Sequence, residues 1–413
     1  MAPSRGLASR NTHDLMRILV LDGNQNQAVA CVRSLARQGH RVFVGEAAPW
    51  SKAGWSRYCS GNFTYTSPQD ASQFFLTDIL NEAAKEKGTL VLPMTEATTL
   101  PVSANRVDFI AAGARFVLPE HSDLLRAVDK NCATALAKSL GIAVPKTYSI
   151  DDVSPLNDIV RQVHFPVVLK PRSSQEQSAE GKLHATGRPA YASNEAELAT
   201  AFNKMQPRCS SILIQEFVEG TGTGYFALMN HGELRAEFAH RRIRDVHPTG
   251  SGSALRESIV PSLQIRESSL AMLRSLNWHG VAMVEFRVAA DGTPVFLEIN
   301  GRFWHSLALA CAAGVDFPSL LARMAEDGDV DSPPPYKTGV RSRWLVGDFR
   351  HLIEVWKGCP PGYPGKFPGR WSTLKAELTP TPGTFHDNFD WNDPLPELGD
   401  WIHLLQQVVR NSR

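Results

Sequence analysis

The stretch VAMVEFRVAADGTPVFLEINGRFW, Val281 to Trp304, decides how this chain folds. Two apolar, alternating runs flank Asp291-Gly292, and Asp-Gly in that setting signals a hairpin with a two-residue turn. Such a turn sets Glu285 opposite Glu298 and Met283 opposite Asn300, so both carboxylates and the amide share one face. Val284, Phe286, Val288, Val295, Leu297 and Ile299 then point to the other face, expected to be the core. Carboxylates directly opposite each other have Cβ atoms about 5 Å apart and repel, so something positive is required between them. Arg287 and Arg302 would serve as ion-pair partners. Two carboxylates and an amide oxygen also make a hard-oxygen set suited to Mg²⁺ and poor for zinc.

Upstream, FPVVLKP (165–171) reads as a buried strand ending in Lys170, and SILIQEFVEG (211–220) as another carrying Gln215 and Glu216 at its end. In SDLLRAVDKNCATALAKSLG (122–141), Asp129 suits an N-cap. Ala133, Leu136, Ala137 and Leu140 form one apolar face, and Gly141 with Pro145 stops the helix. Lys130 then sits at a helix N-terminus, where a cation opposes the dipole unless an anion shares the site. RSSQEQSAEGK (172–182) reads as a mobile loop able to act as a lid. GYFALMNHGELRAEFAHRRIR (224–244) reads as a strand, turn and strand, with Arg242 and Arg244 on one face. TGSGS (249–253) reads as a flexible loop, and its Ser251 and Ser253 are candidate substrate contacts.

Toward the N-terminus, RILVLDG, NQAVACVRSLARQG and HRVFVGE form a strand–helix–strand unit, extended by strands at TLVLPM (89–94) and ARFVLPE (114–120). The loop DGNQNQA keeps only the first glycine of a dinucleotide fingerprint, which argues against hydride chemistry. Glu96 follows a strand end, where open α/β sheets bind ligands, and is a candidate substrate contact. DVDSPPP (329–335) reads as a linker into a final segment rich in Trp, Pro and Gly.

The 413 residues are 43% hydrophobic and 21% charged, with a net charge of +1. That balance gives no overall basic field, so neither nucleic acid nor a membrane is expected as a partner. Six scattered cysteines with no CxxC fit a reducing, cytoplasmic setting. The polar N-terminus has no apolar signal core.

With these pieces in order along roughly 15–325, the chain resembles the ATP-grasp superfamily of ligases, which includes biotin carboxylase and the carbamoyl phosphate synthetase large subunit. Within it, FAHRRIRDVHPTGSGSALRES and GVAMVEFRV are similar to the predicted carboxylate-amine ligase group. The resemblance implies an α/β and α+β architecture, the ATP-grasp fold. A Rossmann-like N-terminal domain would span 15–120, a small central subdomain 121–218, a C-terminal subdomain with the metal site 219–328, and a helical extension 329–413. It implies ATP and Mg²⁺ (two ions, with Mn²⁺ as a substitute), held by Glu285, Glu298 and Asn300. Lys130 and Lys170 would hold phosphates, and Gln215, Glu216, Phe217 and Val218 the adenine. Thr223 or a backbone group would stand in for the ribose-binding carboxylate that TGTGY lacks, and Arg302, with Arg242 or Arg244, would steady the transferred phosphate or oxyanion. The implied reaction activates a small-molecule carboxylate as an acyl phosphate and joins it to an amine, with ADP and phosphate released. A bicarbonate-using carboxylase or carbamoyl phosphate type of enzyme is one alternative; a catalytically silent nucleotide-binding protein is another. No biotin-attachment sequence is present, and the resemblance leaves room for a homodimer. His305, where glycine is more usual, has no assigned role.

Overall fold

The computed structural model describes residues 15–150, 159–173, 175–177, 183–379 and 381–411. Three sheets carry the architecture. The first is parallel, in the order β3-β2-β1-β4, from Arg17–Val20 (β1), Arg41–Glu46 (β2), Gly61–Thr64 (β3) and Leu90–Leu92 (β4). Ile18, Val20, Val42 and Val44 pack against the Asn26–Arg37 helix, the strand–helix–strand unit expected from the alternation of apolar runs. The expected strand at 114–120 is reduced to a single bridge, Leu90 to Arg115. The opposite edge, beside β2, is formed by β3, whose GNFT has too few apolar residues to announce itself.

The second sheet is antiparallel, in the order β5-β10-β6-β9, from Thr147–Ile150 (β5), Val167–Pro171 (β6), Ala190–Ala192 (β9) and Ile212–Glu216 (β10). Val167, Leu169, Ile212 and Ile214 pack on Leu198 and Phe202 of the Glu195–Met205 helix. Val168, Lys170 and Gln215 alternate with them and line a cleft on the other face. The expected loop at 172–182 contains part of a two-stranded antiparallel hairpin, Gln175–Gln177 (β7) with Leu183–Ala185 (β8). Residues 174 and 178–182 of the expected lid lie outside the described residues.

The third sheet has seven strands, β15-β14-β11-β12-β13-β16-β17. Its members are Thr221–Asn230 (β11), Glu233–His247 (β12), Ser251–Ser258 (β13), Gly280–Val288 (β14), Pro294–Asn300 (β15), Arg341–Arg343 (β16) and Thr384–His386 (β17). The expected flexible TGSGS loop is half strand, since Ser251 and Ser253 pair with His247 and Asp245. The segment beyond the Pro-rich stretch also joins this sheet through β16 and β17. Its Leu345–Lys357 helix packs beside β12, where Trp344 and Val346 meet Val246 and Ala254.

Buried polar contacts fasten that segment to the first sheet's unit. Arg33 pairs with Asp393 and Lys52 with Asp400, each at 2.8 Å, and Asn388 donates to Asn26 at 2.9 Å. His305 belongs to this seam: its ring lies 4.3 Å from that of Trp344, and its Nδ1 is 3.4 Å from the Asn26 amide nitrogen. Burial, with Arg256 and Lys52 nearby, holds its pKa well below the ordinary value, so it packs there as neutral imidazole. No single described helix is long and apolar enough to cross a membrane. The helices Leu307–Ala313 and Phe317–Asp327, apolar together, are bent by 88° and contribute to the main core.

Candidate active site

The cleft lies between the second and third sheets, and the β14–β15 hairpin forms one wall. Glu285 stands directly opposite Glu298, and Met283 opposite Asn300, the pairing expected from the sequence. The route to that register differs from expectation. Ala289 and Thr293 close a three-residue loop with Gly292 left-handed at φ +88°, a form that alone would slip the strands by one. A bulge at Leu297 restores the register, since Glu285 faces Glu298 while Phe286 faces Phe296. Leu297 therefore turns to the cleft rather than the core, and Phe296, 1% exposed, packs with Val284, Phe286 and Ile299 in its place.

Lys130 and Lys170 face the carboxylates across the cleft. Asp129 caps the Lys130–Ser139 helix, accepting from the Asn131 and Cys132 amides at 2.9 and 3.0 Å, and Arg172 donates to its other oxygen at 2.8 Å. This fixes Lys130 at the first helical position, 4.0 Å from Glu298. Lys170 projects from β6, where burial lowers its pKa and Glu298 works against that shift. Burial also works to raise Glu298, but Lys130, Lys170 and the Asn300 amide outweigh it and hold its carboxyl below the ordinary range. Glu285 moves the other way: burial raises it despite Arg242, and Glu298 raises it further.

The positive partner of Glu285 is neither Arg287 nor Arg302. Arg242 reaches across β11 to it at 2.8 Å and lies 3.5 Å from Asp245. Gly222 makes the crossing possible, because a Cβ there would stand 2.8 Å from Arg242 Cδ. Arg287 instead donates to the Gly220 and Gly250 carbonyls at 3.1 and 3.3 Å, tying the end of β11 to the β12–β13 turn. Arg302 donates to Asn300 Oδ1 and to the Phe303 carbonyl, both at 3.1 Å, and Asn300 donates to Glu298 at 3.2 Å.

Gln215, Glu216, Phe217, Val218 and Ser251 also line the cleft, with Gln215 donating to Thr147 at 3.0 Å. Six expected residues do not. Asn300 and Arg302 are joined to Glu298 by the hydrogen bonds just described but are not among the residues that line the cleft. Thr223 pairs with Phe286 and so shares the core face of the sheet, 3% exposed, which removes it as a ribose contact. Arg244 is separated from Arg242 by a shift in the β12–β13 register and pairs with Asp348 at 2.7 Å; the shared face expected from simple alternation is lost. Glu96 opens the Glu96–Ala104 helix beside the first sheet, away from the cleft-lining residues. Ser253 is buried in β13, its carbonyl bonded to Arg256. Tyr191 and Asp245 belong to the site and were not foreseen; the one lies on a three-residue edge strand and the other follows a register shift, and neither has a local signal.

Among the described residues no three of His, Cys, Asp and Glu gather as a metal cluster. The cleft offers two carboxylates, and Asn300 beside Glu298 carries an amide oxygen that accepts from Arg302; oxygen donors of this kind fit a hard divalent cation such as Mg²⁺. Opposed like charges already balanced by cations are an arrangement that such an ion would relieve.

Residues 208–347 match a family model described as ATP-grasp in the biosynthetic pathway with Ter operon. Over 216 residues the chain is 26% identical to a D-alanine–D-alanine ligase of Nitrosospira multiformis; the match covers 48% of this chain and 66% of that enzyme, just under two thirds of its length. A biotin carboxylase domain of the Hydrogenobacter thermophilus 2-oxoglutarate carboxylase, solved as a dimer with MgADP, ADP and bicarbonate, superposes with a TM-score of 0.61 at 13% identity. That superposition covers 80% of this chain and 74% of the domain. An L-amino acid ligase from Bacillus licheniformis superposes with a TM-score of 0.57 at 15% identity, covering 77% of each chain. At these identities the structural likenesses establish the fold alone. Residues 208–347 thus match an ATP-grasp family model, and the chain shares its fold with the solved enzymes above.

Proposed function

We propose that this protein is an ATP-dependent ligase that activates a small-molecule carboxylate as an acyl phosphate and joins it to an amine, releasing ADP and phosphate. The observation that carries the reading is the opposed pair Glu285 and Glu298 facing Lys130 and Lys170 across one cleft, with Asn300 hydrogen-bonded to Glu298 beside it. ATP supplies the phosphoryl group, and two Mg²⁺ ions, or Mn²⁺ in their place, supply neutralising charge. Glu285, Glu298 and Asn300 hold the metal, Lys130 and Lys170 the phosphates, and Gln215 through Val218 the base. Ribose contacts fall to backbone groups.

A carboxylate attacks phosphorus poorly because like charges meet, and the lysines lower that barrier by holding the phosphate oxygens. Arg302, fixed beside Asn300, stabilises charge on the acyl oxygen as the amine adds. Arg242, paired with Glu285 at 2.8 Å, would be free to donate to the same oxygen if a metal held that carboxylate. The amine loses a proton and phosphate leaves, so the balance closes on an amide, ADP and phosphate.

An ADP-release screen over amino acids, dipeptides and small carboxylates, singly and in pairs, tests the reading. Release that needs an acid and an amine together supports it. Release with bicarbonate and no amine favours the carboxylase alternative, and no release with any pair favours a silent nucleotide-binding protein. A homodimer, the state of the biotin carboxylase domain above, is checked by light scattering.

A further inference from the structure

The cleft measures about 280 Å³, below the ~300–1,000 Å³ usual for small-molecule pockets, so it does not hold both a nucleotide and the body of a second reactant. Beside it lies a cavity of about 740 Å³. Pro189, Tyr191, Thr249 and Ser251 line both spaces, and the partition between them is the Tyr191 hydroxyl donating to the Thr249 carbonyl at 3.0 Å.

The cavity has an uneven chemistry. Pro360, Pro361 and Phe367 form one apolar side, contributed by the C-terminal segment. The Glu195–Met205 helix forms the other with Ala196, Thr200 and Lys204, four residues apart and so on one face. His247 stands at the edge, its pKa lowered to about 4 by burial and the nearby Arg188, and is neutral at pH 7. Both acidic lining residues are already engaged: Glu354 by Lys357 at 3.2 Å and Arg188 at 3.8 Å, and Glu197 by the Ser193 amide at 2.7 Å. An apolar interior whose edge charges are paired or neutral, sharing Tyr191 and Ser251 with the cleft, suits a molecule with an apolar body and one polar reacting end.

Resting on the ligase reading above, we propose that this cavity holds the alkyl or aryl body of one reactant, whose carboxylate or amine end passes between Tyr191 and Ser251 into the cleft. The C-terminal segment then sets substrate choice, while the ATP-grasp sheets supply the chemistry.

The test is Thr200→Trp, which fills the cavity from an exposed helix face; affinity for a non-hydrolysable ATP analogue and the melting temperature report an intact fold. ADP release is measured with compact reactants (acetate, methylamine) and apolar-bodied ones (4-phenylbutyrate, phenethylamine) in all pairings. The wild type should prefer an apolar-bodied member, and the variant should lose that preference by about tenfold or more with ATP-analogue affinity kept. Preference that follows the acid assigns the cavity to the carboxylate substrate; preference that follows the amine assigns it to the nucleophile. No preference in the wild type, or one untouched by Thr200→Trp, overturns the proposal. If no pair releases ADP, the ligase reading fails by itself, and calorimetric binding of 4-phenylbutyrate and phenethylamine decides the cavity. Binding lost in Thr200→Trp supports it, and equal or absent binding overturns it.

Discussion

Replacing Arg242 with methionine removes the guanidinium 2.8 Å from Glu285 and leaves an unbranched apolar stem over Gly222. The two side chains are 9% and 11% exposed, so the remaining carboxylate has little water to turn to. Unit charges about 4 Å apart at an effective dielectric near 20 interact by about 4 kcal/mol. Glu285 escapes that penalty by taking up a proton. Protonating a carboxyl of ordinary pKa ~4.3 costs about 1.36 kcal/mol per pH unit above it, hence about 3.7 kcal/mol at pH 7 and about 1.6 at pH 5.5. The sign is fixed by the direction of the shift. Burial already raises Glu285 and Arg242 opposes it, so loss of Arg242 raises it further. A carboxyl raised in the folded state keeps a proton that the unfolded chain releases, so its contribution is present at low pH and lost as pH rises through the folded pKa. Urea unfolding of both proteins at pH 7 and 5.5 without divalent metal should give a penalty near 4 kcal/mol at the higher pH and less than half of it at the lower. Equal penalties at both, or less than about 1 kcal/mol at pH 7, refute the reasoning.

Lys130→Met and Lys170→Met should each weaken binding of a non-hydrolysable ATP analogue roughly tenfold or more, since a hydrogen bond to a charged group is worth about 1.5–3 kcal/mol; calorimetry showing unchanged affinity removes that lysine from the site. Asp129→Ala loses the helix cap and the Arg172 pair, and should cost about 1 kcal/mol of stability. Because Asp129 also fixes Lys130, nucleotide affinity should fall with it, and a stability loss with affinity intact counts against that coupling. Glu377 and Glu397 are both pushed up to about 7, by burial first and then by Asp348 and Asp400 respectively. Raised carboxyls lose their stabilising proton between the unfolded and folded values, so their contribution should make melting temperature fall from about pH 5 to pH 7 and level off above, and Glu377→Gln with Glu397→Gln should flatten that slope.

The parts of the site written in local spacing were legible from the sequence. Alternation and an Asp-Gly turn paired Glu285 with Glu298, and capping chemistry placed Lys130. Even there, two errors cancelled: the loop is one residue longer than expected, and the bulge at Leu297 corrects the register while exchanging Leu297 for Phe296 in the core. Parity arguments failed where the β12–β13 pairing shifts, which is why Arg244 parts company with Arg242. Thr223 pairs with Phe286 on the core face, which alternation along β11 dictates, and that leaves the backbone of TGTGY as the ribose-side candidate. The three-residue strands β16 and β17 form only through distant partners, Leu255–Glu257 and each other, so a Pro-rich stretch read as a linker instead leads back into the main sheet. His305 had no local explanation because its neighbours, Asn26 and Trp344, come from either end of the chain.

The central claim is that Glu285 and Glu298 hold a divalent metal beneath a nucleotide's terminal phosphates. Titration of Mn²⁺, followed by electron paramagnetic resonance in the presence of a non-hydrolysable ATP analogue, measures this directly in the wild type and in Glu298→Gln. Metal held by the wild-type complex and weakened roughly tenfold or more in the variant, with unchanged circular dichroism, is the predicted result. Equal Mn²⁺ affinity in the two proteins would contradict the account.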